Sequence, residues 1–144
     1  MNLDEKIPGC QYFTWKEALW LNRWNRAAIE SDGFTDTVRR NLENTFRWMD
    51  KIRQWIDKPI KVHVAFRPTP YNKEVGGATQ SAHLDGRAVD FSISGMTCDE
   101  FKRQADEDNK LEEFGLRMED NGNGASWIHL DDKTPGVSGR FFKP

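Results

Sequence analysis

Between residues 38 and 56 the inward positions recur at steps of three and four. They are Val38, Leu42, Thr45, Phe46, Met49, Ile52 and Ile56. That spacing lines one face of a helix. Arg39, Arg40, Glu43, Arg47, Asp50, Lys51 and Arg53 fall on the other face, which predicts a solvated charged side. The helix ends at Asp57-Lys58-Pro59, because the residue before a proline leaves the α region. From Ile60 the period changes to two. Ile60, Val62, Val64 and Phe66 alternate with Lys61, His63, Ala65 and Arg67, which predicts a half-buried strand. Pro68 and Pro70 stop it, and a loop centred on Gly76-Gly77 follows.

Upstream, Thr14-Trp15-Lys16-Glu17 has the capping-box spacing of a hydroxyl followed three later by a carboxylate. It opens a short helix with Trp15, Ala18, Leu19 and Asn22 on one side. The first 58 residues thus read as mostly helical. Downstream, A-V-D-F-S-I within 87–93 is a second strand. Thr97-Cys98-Asp99-Glu100 opens a polar helix to about Lys110. Phe114 to Glu119 and Trp127 to Asp131 read as two strands joined by the turn-rich Asn121–Gly124. The tail, 132–144, reads as loop. Helices followed by strands mixed with one helix predict an α+β fold: a small mixed or antiparallel sheet with the N-terminal helices packed behind it.

Composition bounds the picture. At 144 residues there is room for one domain, 1–144. Its parts are a helical region (about 12–58), an α+β region (about 60–131) and the tail. Hydrophobic residues make up only 37%, but 9 Phe, 6 Trp and 2 Tyr supply core material that disordered chains lack. The net charge of −2 argues against a dedicated nucleic-acid binder. No apolar run is long enough to span a membrane, and M-N-L-D-E-K-I-P-G has no secretory h-region. The expectation is a monomer made in the cytoplasm. Cys10 and Cys98 read as free thiols.

Only three histidines are present, His63, His83 and His129. His83 stands in a loop, Asp90 seven positions later in a strand, and His129 in a later strand. Two imidazoles and a carboxylate suit a zinc ion with an open fourth position. On spacing alone the signal is weak, and a solvated loop residue is the commoner reading of His83. The surrounding residues sharpen the choice. S-A-H-L-D-G-R-A-V-D, Ser81 to Asp90, fits S-x-H-x-x-G-x-A-x-D. Together with W-I-H at Trp127 to His129, it resembles peptidase family M15, the zinc D,D-carboxypeptidases and L-alanyl-D-glutamate endopeptidases, whose fold is shared with the hedgehog signalling domain. F-R-P-T-P-Y-N-K-E-V-G-G-A, Phe66 to Ala78, resembles the segment that leads into their zinc loop. The resemblance covers Tyr12 to about Asp131 and points to small bacteriophage members.

Carried over, the resemblance implies one Zn2+ held by His83, Asp90 and His129. It implies that Arg67 steadies the scissile carbonyl or a substrate carboxylate, and that Ser81 helps hold the peptide. The implied substrate is the stem peptide of peptidoglycan. The implied role is a phage lysis or virion-associated enzyme, acting on the host cell wall after release or carried in a virion. One position departs from the pattern. Many members carry the general base three residues before the last His, and Ser126 stands there. Glu119 is the first choice for the base and Asp120 the second, brought across the Asn-Gly turn. Ser126 keeps a second reading open: a non-catalytic zinc-containing wall-binding or phage structural module. Trp127 is read as a cleft wall or a packing residue, Asp131 as a support for His129 or an exposed carboxylate, Asp85 as solvated, and His63 as a sheet-face histidine.

Overall fold

The Thr14–Glu17 signal starts only a short helix. In the computed structural model, which describes residues 1–144, α1 spans Trp15–Leu19. The Glu17 carboxylate accepts the Thr14 N–H at 3.0 Å, the reach-back half of a capping box. Trp15, Ala18 and Leu19 are buried, as their spacing predicts. The helix does not continue to Asn22. The chain turns into an antiparallel hairpin of β1 (Trp20–Leu21) and β2 (Arg26–Ala27). Asn25 supplies its left-handed residue at φ 50°, a conformation that asparagine tolerates. The first 58 residues are thus less helical than the pattern suggests.

The long amphipathic pattern forms α2, Asp36–Ile56. Thr35 caps it, its hydroxyl accepting the Val38 N–H at 3.3 Å. Every inward position named above is buried. Asp57 closes the helix in the left-handed region, with its N–H on the Arg53 carbonyl, just before Lys58-Pro59. One residue of the charged face departs from expectation. Asp50 is buried, and its carboxylate accepts the Gln11 N–H at 3.0 Å and the Tyr12 N–H at 2.9 Å. It satisfies two backbone donors that lack a strand or helix partner. The irregular N-terminal segment is thereby pinned to α2.

Five strands make the main sheet: β3 (Ile60–Val64), β4 (Ala88–Ile93), β5 (Arg117–Glu119), β6 (Ile128–Asp131) and β7 (Phe141–Phe142). Their order is β3-β4-β6-β5-β7. All neighbours are antiparallel except β5 and β7, so the sheet is mixed and the fold is α+β, as the sequence predicts. The alternation from Ile60 is interrupted. Val62 pairs with Phe91 but Val64 pairs with Asp90, so His63 is the extra residue of a bulge. Past it, Ala65 and Phe66 are both buried.

Three further segments differ from their predictions. The stretch after Pro68 is helical, α3 (Thr69–Glu74). Pro70 lies in its first turn, where a missing N–H costs nothing. The polar helix splits into α4 (Cys98–Glu107), capped by the Thr97 hydroxyl on Glu100 N–H at 3.1 Å, and α5 (Lys110–Phe114). Phe114 is therefore helical, and the next strand starts at Arg117. The tail, expected to be loop, contributes β7. Helices and sheet share one apolar core that includes Leu42, Phe46 and Met49 of α2, Phe91 of β4 and Leu130 of β6. No helix is long and apolar enough to cross a membrane.

The Asp50 contacts carry a prediction. Asp50→Ala leaves the part-buried N–H groups of Gln11 and Tyr12 without their carboxylate partner. It should lower unfolding free energy by about 1–3 kcal/mol in urea denaturation. A variant as stable as the parent would mean that the N-terminal segment is held by packing alone.

Candidate metal centre

The site is assembled where a short turn, two strands and α2 meet. The 3-10 turn Ala82–Asp85 presents His83. Ser81 caps it, its hydroxyl accepting the His83 N–H at 3.2 Å. The turn closes at Gly86, whose φ is 73°. A Cβ there would lie 2.9 Å from Leu42 Cγ, so the backbone approaches α2 closer than a side chain permits. Thr45 Oγ1 donates to the Gly86 carbonyl at 2.8 Å, and Asn41 Nδ2 to the Asp85 carbonyl at 2.9 Å. The helix thus fixes the height of the His83 turn. Strand pairing supplies the other two residues, since Asp90 of β4 stands directly opposite His129 of β6.

His83, Asp90 and His129 converge, with donor atoms within 4.8 Å of one another. His83 Nε2 is 3.0 Å from Asp90 Oδ1, and His129 Nδ1 is 2.8 Å from the same oxygen. The other nitrogen of each ring is already committed. His83 Nδ1 is 2.7 Å from the Ala65 carbonyl, which can only accept, so this nitrogen donates. His129 Nε2 lies 2.9 Å from Asp131 Oδ2. Asp131 is buried and is itself held by the Arg117 fork at 2.8 and 2.9 Å and by the Lys133 N–H at 3.1 Å. Outward bonds of this kind fix the tautomer and ring plane of metal-binding histidines.

The electrostatics follow from burial and charge. Burial favours a neutral Asp90, but the charge of His83 and the hydrogen bonds of both rings override it. They hold the carboxyl well below the usual carboxylate range. Burial also opposes a charged His129, yet the bonds to Asp131 and Asp90 outweigh it and raise the ring to about 9. Asp131 is likewise held below its ordinary range; burial works against this, and His129 and Arg117 overcome it. The carboxylates thus make this cluster favour positive charge. His83, Asp90 and His129 would hold one divalent cation, with both imidazoles neutral. Two nitrogens and a carboxylate oxygen form a donor set that zinc accepts.

An open cleft of about 580 Å³ lies over this cluster. Glu119, Arg67, Ser81 and Trp127 line it. Glu119 Oε2 is 4.0 Å from His129 Nδ1. Arg67 Nη2 donates to Ser81 Oγ at 3.1 Å, while its buried Nε has no partner. Burial pulls the Arg67 guanidinium below its ordinary value, against the pull of Asp90. Trp127 is half-exposed at the cleft wall. Asp120 is not brought in: its carboxylate accepts from Lys102 Nζ at 3.0 Å, outside the cleft lining. Ser126 also lies outside the cleft and lines a separate hollow with Cys98. His63 bonds to Ser92 Oγ, one alternate position along β4 from Asp90, and is no part of the cluster.

Two residues in contact with the site carry no sequence motif. Arg117 stands two positions before Glu119 on the same strand, so parity signals its shared face. Phe142 arrives through β7, a long-range pairing with no local signal.

A family model described as Peptidase M15 matches residues 12–131. The chain belongs to that family. Comparison with curated proteins finds no match.

The approach of the His83 turn to α2 is testable through Gly86. Gly86→Ala combines a left-handed residue with a Cβ driven against Leu42. It should cost about 1–3 kcal/mol from the backbone conformation alone, read as a lowered thermal midpoint. A midpoint equal to that of the parent would mean that the turn and helix separate freely.

Proposed function

From membership of the peptidase M15 family, we propose that this chain is a zinc-dependent peptidase that hydrolyses an amide bond in the peptide part of peptidoglycan. The convergence of His83, Asp90 and His129 at the floor of an open cleft is the observation that carries the reading. These three residues would hold the zinc. When bound there, zinc supplies Lewis acidity, which polarises an amide carbonyl and acidifies water.

The cleft residues divide the remaining work. Three carboxylates face it. Asp90 is engaged by both histidines, and Asp131 by Arg117 and His129. Glu119 has no lysine or arginine partner, and this supports it as the general base. In that role Glu119 takes a proton from the attacking water and returns it to the amine as the C–N bond breaks. Asp120, paired with Lys102, has no part in the reading. Arg67 lines the cleft and supports the carbonyl oxygen or a substrate carboxylate through a charged, planar donor set. Ser81 orients Arg67 and borders the bound peptide, and Trp127 offers an apolar wall for it. The reading is of a monomeric single domain that acts on the host cell wall as a phage lysis or virion-associated enzyme.

The test separates the metal from the base. His83→Ala should lose stoichiometric zinc and the release of peptides from purified peptidoglycan. Glu119→Gln should keep its zinc and lose about 10²–10⁴-fold in rate. Zinc retained by the first variant would refute the ligand set. Full activity in the second would move the base elsewhere. A parent chain that binds zinc and wall but releases no fragment would favour the non-catalytic wall-binding module.

A further inference from the structure

The family match ends at Asp131, yet the chain returns to the site after it. β7 runs parallel to β5 and sets Phe142 beside Glu119. The Asp120 N–H donates to the Phe142 carbonyl at 2.6 Å and the Met118 N–H to the Arg140 carbonyl at 2.7 Å, so the backbone of this segment is fixed. The two phenylalanines then diverge. Phe141 packs against the apolar core, whereas Phe142 lines the metal cleft. The Phe142 ring touches two members of the site at once. The Arg117 guanidinium carbon stands 3.8 Å from its centroid. The His129 ring meets it edge-on, with centroids 5.8 Å apart and planes at 80°. Arg117 in turn grips Asp131, which accepts from His129 Nε2. Four side chains therefore close a circuit that begins and ends at His129.

We infer that Phe142 and Arg117 are positioning residues for the metal, with the tail strand clamping His129 so that Nδ1 is aimed at Asp90. The inference rests on the metal reading above. Its physical basis is the freedom that a lone hydrogen bond leaves. The second torsion of histidine is broad, and one contact at Nε2 still lets the ring tilt about that contact. Phe142 covers a ring edge and removes the tilt. It also shields one face of Arg117, where the cation is drawn to the ring and its plane is held for the fork to Asp131. Phe142 adds little to the apolar core, so its contacts serve the site more than the scaffold.

The experiment compares the full chain with Phe142→Ala, Phe142→Tyr and Arg117→Lys. Zinc affinity is measured by competition with a chromophoric chelator. The Co2+ absorption spectrum reports ligand geometry, and thermal denaturation without metal reports the fold. Phe142→Ala and Arg117→Lys should each bind zinc about 10–100-fold more weakly, the usual effect of losing a partner behind a ligand. Their Co2+ bands should shift, and Phe142→Tyr should restore both readouts. Should Phe142→Ala fail to fold, Arg117→Lys decides, because it leaves the β7 pairing in place. Parental affinity and spectrum in both variants, whatever their thermal midpoints, overturn the inference. A parent chain that takes up no zinc refutes the metal reading itself, and this inference with it.

Discussion

Two imidazoles and a carboxylate buried against one another set the terms for the rest of this molecule. Left unpaired, such groups cost several kcal/mol each to remove from water. Here each imidazole has an outward partner as well as an inward one. His83 leans on the Ala65 carbonyl, and His129 on Asp131. Asp131 is in turn neutralised by Arg117. The inner face of the cluster therefore comes to a cation already desolvated and already aimed. That is the preorganisation on which a metal site depends.

The fold shows where that order comes from. Asp90 is read by both of its neighbours, opposite Val64 on β3 and opposite His129 on β6. The bulge at His63 lets β3 meet Asp90 in this register while the following Ala65 carbonyl reaches His83. α2 then sets the His83 turn from behind, through Leu42 against Gly86 and Thr45 on the Gly86 carbonyl. Helix, bulge and turn each fix one coordinate of the same point. This explains why a polar threonine sits fully buried on the inward face of a helix that is otherwise apolar there.

Local patterns revealed the elements that local physics decides. The inward face of α2 and strand β4 are legible because their periodicity lies within short windows, whereas His83, Asp90 and His129, which the structure brings together, are marked by the family resemblance and not by spacing. Distant partners are not legible. Asp50 looks like one more surface charge until Gln11 and Tyr12 bring their N–H groups to it, and nothing near Asp50 announces them. The bulge at His63 is invisible because period two looks the same whether or not one residue is skipped on pairing. β7 lies in a Gly-rich tail and is strand only because β5 offers an open edge. Pro70 was read as a stop, although the same fixed φ that ends a strand can begin a helix.

The question of the base turns on parity rather than on distance along the chain. β5 and β6 pair Arg117 with Asp131 and Met118 with Leu130. Continuing that register by one residue sets Glu119 across from His129, in keeping with the 4.0 Å between their side chains. Opposed residues share a face, and the next residue along does not. Asp120 accordingly turns away to Lys102. In the proposed reading, a carboxylate three residues before His129 would approach the cluster along its own strand, whereas Glu119 approaches it from the neighbouring strand. On that reading serine at position 126 is no defect, because the hairpin would supply what the offset omits. The same logic ties the assignment to the register. Residues added to the 120–127 turn leave Glu119 facing His129, but one residue added within β5 exchanges the faces of Glu119 and Asp120.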